Sequence, residues 1–280
     1  MEYNKFLTYK EYKKEFYDIF SRIVIGSELS YDKYIKNTME YKTTFKIYKL
    51  FLSRLKEILN LLGITDSLDI SILCTYFLIP DGILSVTDNF TKKVENYSNC
   101  EFVNLIGSKV LTGSAVCRHI SKFIVDLNRI NKNESYFVVL KNLENDSMDH
   151  VVVGLKVEDK KFIIDPLNKQ IGISNKDLVT CFNPMGGSIP VNYKIDRVRY
   201  KQIIDKLNYL DINVFFELEK SKDLNIFKER YEFVRIKYLY FKELFNNFKT
   251  DNYDLYVNIT NKLGLLTGYE YNKKIKKLVI

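Results

Sequence analysis

The spacing of hydrophobic residues changes period twice along the chain. In "YKTTFKIYKLFLSRLKEILNLLG", Phe45, Tyr48, Leu52, Leu55 and Leu59 fall at three- and four-residue steps, which lays them along one face of a helix. Gly63 follows, where a left-handed residue commonly closes a helix. The next run, "LDISILCTYFLIPDGILSV", is the most apolar in the chain. It is short and broken by Pro80 and Asp81, so it predicts one or two buried helices and no membrane span. From about residue 97 the pattern turns to β-branched runs, "SYFVVL", "HVVVGLKV" and "KFIIDPL", which predict strands. In the second run Val151, Val153, Leu155 and Val157 alternate toward one face and leave His150, Val152 and Gly154 on the other. From about residue 196 a helical period returns, and "IFKERYEFVRIKYLYFKELFNNF" predicts a long, charged, aromatic-rich helix.

These changes divide the chain into a helical region at 1–96, a mixed core at 97–195 and a helical region at 196–280. No internal repeat, low-complexity segment or Pro/Gly linker separates them, so the flanks are expected to pack on the core. A chain of 280 residues can bury a substantial interior, and 46% hydrophobic with 28% charged residues fits a globular protein. The net charge of +8 raises the question of acidic partners. However, Lys is interleaved with Glu and Asp, as in "KEYKKEF", which describes a solvated surface; no nucleic-acid motif accompanies it. The abundance of Lys, Asn, Ile and Tyr with no Trp is first a coding bias of an AT-rich genome.

The N-terminus is charged throughout and carries no apolar signal-peptide core, so a cytoplasmic location is expected. Cys74, Cys100, Cys117 and Cys181 show no motif spacing, and the chain has two histidines. Free thiols are therefore expected, with no zinc site and no cofactor.

Candidate chemistry centres on "TGSAVCRHIS". After Cys117, the residues Ile120, Phe123, Ile124, Leu127 and Ile130 repeat at helical spacing, while Thr112, Gly113 and Ser114 are turn and N-cap types. With Ser114 as N-cap, Cys117 lies in the first turn, where free N–H groups and the helix dipole favour a thiolate. The alternative is a small buried hydrophobe, the usual fate of a free cysteine. His119, two residues on, is about 200° around the helix from the thiol and is expected at the surface or behind the site.

His150 opens the strand "HVVVGLKV". If Glu158 and Asp159 form a tight hairpin turn, Val157 opposes Lys160 and Asp165 opposes Val152. Asp165 then lies diagonally from His150 on the same face, within side-chain reach. A buried Asp at the end of Phe162, Ile163 and Ile164 needs a partner, and His150 is the nearest candidate. The other reading of Asp165 is an Asp-Pro turn initiator with Pro166. Taken together, the residues give a thiol that attacks, an imidazole that moves a proton and a carboxylate that holds the imidazole.

The segments "TGSAVCRHISKFIVDLNRI", "ESYFVVL" and "DHVVVGLKVEDKKFIIDPLN" resemble the transglutaminase-like superfamily of papain-fold cysteine enzymes. That family pairs a Cys turn at a helix start with a His on one strand and an Asp-Pro on the next. Asp165 follows His150 by 15 residues, as in compact microbial members, and His150 follows Cys117 by 33. The resemblance covers residues 112–168. It implies an α+β fold, with the Cys-bearing helix packed on an antiparallel sheet, and the roles of nucleophile for Cys117, base for His150 and orienting acid for Asp165. The Cys117 backbone N–H would belong to the oxyanion hole. Ala115 stands where the family often has Gly, Val152 where it often has an aromatic, and Phe162 where it often has Trp; these departures concern the cleft and remove no catalytic atom.

The resemblance implies a thiol peptidase or amidase of bacterial type acting on a peptide or protein. Water or an amine can accept the acyl group, so hydrolysis and acyl transfer both stay open. A different class also stays open: a catalytically silent scaffold whose helical flanks bind a partner. The sequence assigns no oligomeric state.

Overall fold

The computed structural model describes residues 39–81, 117–143, 149–157, 160–175, 178–187, 190–196 and 220–250. The expected helices before residue 39, the Thr112–Gly113–Ser114 turn, Cys100 and the Glu158–Asp159 turn lie outside those residues. Within them the fold is α+β.

The first helix, α1 (Met39–Leu62), buries Tyr48, Leu52, Leu55 and Leu59 of the stripe that the spacing predicts; the Phe45 side chain lies outside the described ones. Gly63 closes it with φ of +70°, while the Ile64 N–H donates back to the Leu59 carbonyl at 2.9 Å. Helix α2 (Ser67–Leu73) starts at Asp66, whose carboxylate accepts from the Leu68 N–H at 2.8 Å. It continues into a π-helical turn, Cys74–Leu78. Within the apolar run, Leu68–Thr75 and Leu78 are buried, while residues 82–86 lie outside the described ones. Among the described residues no single helix is long and apolar enough to cross a membrane, and the α1 and α2 axes are bent by 108°.

Helix α3 (Cys117–Ile130) precedes six strands: β1 (Ser135–Asn142), β2 (Asp149–Val157), β3 (Lys160–Asp165), β4 (Gln170–Asn175), β5 (Leu178–Phe182) and β6 (Val191–Ile195). Each pairs antiparallel with the next, and β6 pairs back onto β1, so the sheet closes into a six-stranded barrel. The expected antiparallel sheet is present; its closure is new. The long helix α4 (Lys220–Thr250) packs across α2 and α1.

With the sheet closed, β1, β2 and β3 carry apolar residues on both faces. Outward residues Phe137, Val139, Val151, Val153, Leu155, Phe162, Ile164 and Ile171 join α1–α4 in one large core. Inward residues Val138, Leu140, Val152, Ile163, Val179, Cys181 and Tyr193 fill the lumen. Space there is tight at Gly172. A Cβ on it would lie 2.9 Å from Ile163 Cβ and 3.0 Å from Val179 Cγ1, so only glycine fits without displacement. Helix α4 is long, as expected, and one side of it is buried: Phe227, Val234, Tyr238, Phe241, Leu244 and Phe245 are covered, and Ile236 and Leu239 face solvent. A buried carboxylate, Asp69, is bound in bidentate fashion by Arg230 and ties α2 to α4.

Candidate active site

Cys117, His150 and Asp165 meet at one end of the barrel, each delivered by a different element. Val157 pairs with Lys160 and Val153 with Ile164, which is the register expected of a tight β2–β3 hairpin. That register leaves His150 and Asp165 on the lumen face. The His150 Nε2–H donates to Asp165 Oδ2 at 2.7 Å. With Nε2 taken by the carboxylate, the ring has Nδ1 left for the thiol, and His150 and Cys117 are hydrogen bonded.

The thiol reaches β2 because α3 docks on that strand. One turn beyond Cys117 on the same helix face, the Ser121 hydroxyl donates to the Val151 carbonyl at 2.9 Å. The Val151 N–H in turn bonds the Cys117 sulfur. Ile120, Phe123, Ile124 and Leu127 carry α3 into the main core. His119 is buried in α3, at 1% exposure, so of its two expected positions the surface one is excluded. The histidine that meets the thiol is His150.

Asp165 is fully buried and accepts four hydrogen bonds. Oδ1 takes the N–H groups of Leu167 (3.1 Å) and Asn168 (3.2 Å); Oδ2 takes the Asn168 side-chain amide (2.8 Å) as well as His150. The Asp-Pro turn and the carboxylate–imidazole pair are thus both true of this residue. Lys169 ends the turn at φ of +53°, and Tyr76 Oη donates to its carbonyl at 3.2 Å.

The electrostatics favour a thiolate–imidazolium pair. Burial pushes the Cys117 thiol up, but the hydrogen bond and charge of His150, the Val151 N–H and the charge of Arg118 outweigh it, and the thiol is held below its ordinary value. Burial pushes His150 down, while Asp165 and Cys117 together lift it to about 10. Cys74 and Cys181 show the opposite case. Both are free and fully buried, and desolvation pushes their thiols up, beyond useful reactivity.

Two neighbours were not singled out from the sequence. Tyr193 on β6 stands beside the imidazole, ring centroids 5.8 Å apart, and its hydroxyl is pushed up to about 12, first by burial and then by the charge of Asp165. Nothing in "VNYKI" marks it, because only barrel closure brings β6 to β1. Asn168 could have been found, since it lies within the Asp-Pro turn itself. Among the described residues no group of three or more His, Cys, Asp and Glu side chains is arranged to hold a metal ion.

No family model, curated protein or solved structure matches the chain.

Proposed function

We propose that the protein is a cysteine hydrolase of transglutaminase-like type, a thiol peptidase or amidase acting on a peptide or protein. One observation carries the proposal: Cys117, at the start of α3, is hydrogen bonded to His150, which is bonded at 2.7 Å to the buried Asp165. A Cys-bearing helix packed on an antiparallel sheet, with His and Asp on adjacent strands, supports a papain/transglutaminase-like core, although the sheet here closes into a six-stranded barrel.

The chemistry follows from the charge state. The Cys117 thiolate attacks the carbonyl carbon of a peptide or amide bond and forms the C–S bond. The imidazolium of His150 gives its proton to the leaving nitrogen as the C–N bond breaks. The Cys117 backbone N–H is the oxyanion-hole donor of this reading, facing the oxygen that becomes negative. Water then adds to the thioester while neutral His150 takes its proton. Breaking the C–S bond returns the thiolate–imidazolium pair and releases a carboxylic acid. Asp165 holds the ring in the tautomer that keeps Nδ1 toward sulfur. No cofactor enters any step. A thiolate centre with free thiols elsewhere suits a reducing cytoplasm.

The test is incubation with a peptide library beside Cys117→Ala. Cleavage or deamidation by the wild type alone is the expected result. A mass gain joining two peptides assigns acyl transfer to an amine. Identical spectra for both proteins leave the scaffold reading in its place.

A further inference from the structure

We propose that Asn168 is a positioning residue: its side-chain amide caps Asp165 Oδ2 and keeps water off the Asp165–His150 hydrogen bond. This inference rests on the Cys117–His150–Asp165 reading and goes one residue beyond it.

Asp165 is wholly buried, yet the turn that follows it reaches the surface, where Asn168 and Lys169 are exposed. Solvent therefore begins immediately beyond the Asn168 amide. That amide and the imidazole bond the same carboxylate oxygen, at 2.8 and 2.7 Å. The other oxygen is held by backbone N–H groups that any residue at 168 retains. Removing the amide leaves the carboxylate anchored by Oδ1 and opens Oδ2 alone. Water entering there would raise the local dielectric and weaken a charge-assisted bond that owes its strength to exclusion.

The other groups facing the pair come from four elements: Cys117 from α3, Tyr76 from the π-helical turn, Cys181 from β5 and Tyr193 from β6. Tyr76, Cys181 and Tyr193 are held in their neutral forms, so none replaces the Asn168 donor with a charge. Tyr76 pins the turn through Lys169 and leaves Oδ2 to Asn168 and the imidazole.

The chain has two histidines, so His150 can be followed alone by NMR in histidine-labelled protein, assigned by its absence from His150→Gln. Asn168→Ala is expected to lower the His150 titration midpoint by about one pH unit, roughly tenfold in proton affinity. The ring N–H should also exchange with solvent faster. A midpoint that stays or rises overturns the capping role, and so does a loss of thermal stability with the titration unmoved. A wild-type His150 that titrates near the ordinary 6.5 overturns the underlying Cys–His–Asp reading instead.

Discussion

Replacing Asp165 by Asn keeps the shape of the side chain and removes its charge. Oδ1 can still accept from the Leu167 and Asn168 N–H groups. The amide nitrogen, however, now stands where Oδ2 accepted from His150 and from the Asn168 amide, so donors face a donor. The imidazole escapes by moving its proton to Nδ1, which turns an N–H toward the sulfur and ends its service as a base. Asp165 and Cys117 lift His150 to about 10 against the opposing effect of burial. Loss of the charge-assisted hydrogen bond to Asp165 should destabilise the fold by about 1.5–3 kcal/mol near neutral pH. The dependence on pH is more diagnostic than the size. His150, raised, contributes stability that is complete below 6.5 and is lost as pH climbs through about 10. Cys117, lowered, contributes stability that is complete above 9.0 and is lost as pH falls. Between these values the two slopes cancel, because the native and the unfolded pair each bind one proton. Urea unfolding of wild type and Asp165→Asn across this range should give a difference with a plateau between 6.5 and 9.0 that shrinks on both sides. A difference independent of pH would refute the ion pair.

Gly172→Ala should cost about 1–3 kcal/mol by overpacking the lumen, and it should cost less in a Val179→Ala background, which removes the Cγ1 atom at 3.0 Å, measured by chemical denaturation. Arg230→Ala leaves the fully buried Asp69 carboxylate uncompensated and should cost about 3–5 kcal/mol in the same assay, whereas Asp69→Asn with Arg230→Ala should cost less than the single change. Phe123→Ala opens a cavity where α3 meets α1, against Phe51, and should lower stability by about 3–5 kcal/mol; a smaller loss, with Cys117 reactivity kept, means that the site does not depend on this packing.

The parts of the fold legible in the sequence were those with a strong local period. Helix α1 and its Gly63 closure, helix α4 and strands β1–β3 follow directly from apolar spacing. The hairpin register placed Asp165 near His150 because a two-residue turn fixes every later pair, and the same register stands in the structure. Strands β4, β5 and β6 were not resolved as individual elements, because "QIGISN", "LVTCF" and "VNYKI" are only five or six residues long and each interleaves polar with apolar residues. Closure of the barrel depends on β6 meeting β1, a contact far apart in sequence that leaves no periodic trace. Tyr193 was missed for that reason. The position of His119 stayed open between the surface and the interior because a helix wheel gives its angle from Cys117 and not what packs there; α3 is covered by α1, α2 and the barrel, so this angle is buried too.

The nucleophilic character of Cys117 is open to direct measurement without a substrate. Alkylation of each cysteine can be followed by mass spectrometry as a function of pH, beside a short cysteine peptide. The peptide's rate should fall about tenfold per unit below its pKa near 8.5. Cys117 is half-buried but paired with an imidazolium, and its rate should stay nearly level through neutral pH, well ahead of Cys74 and Cys181. A Cys117 rate that falls with the peptide's, or is no faster than those of the two buried thiols, contradicts a thiolate at this site and with it the proposed enzyme.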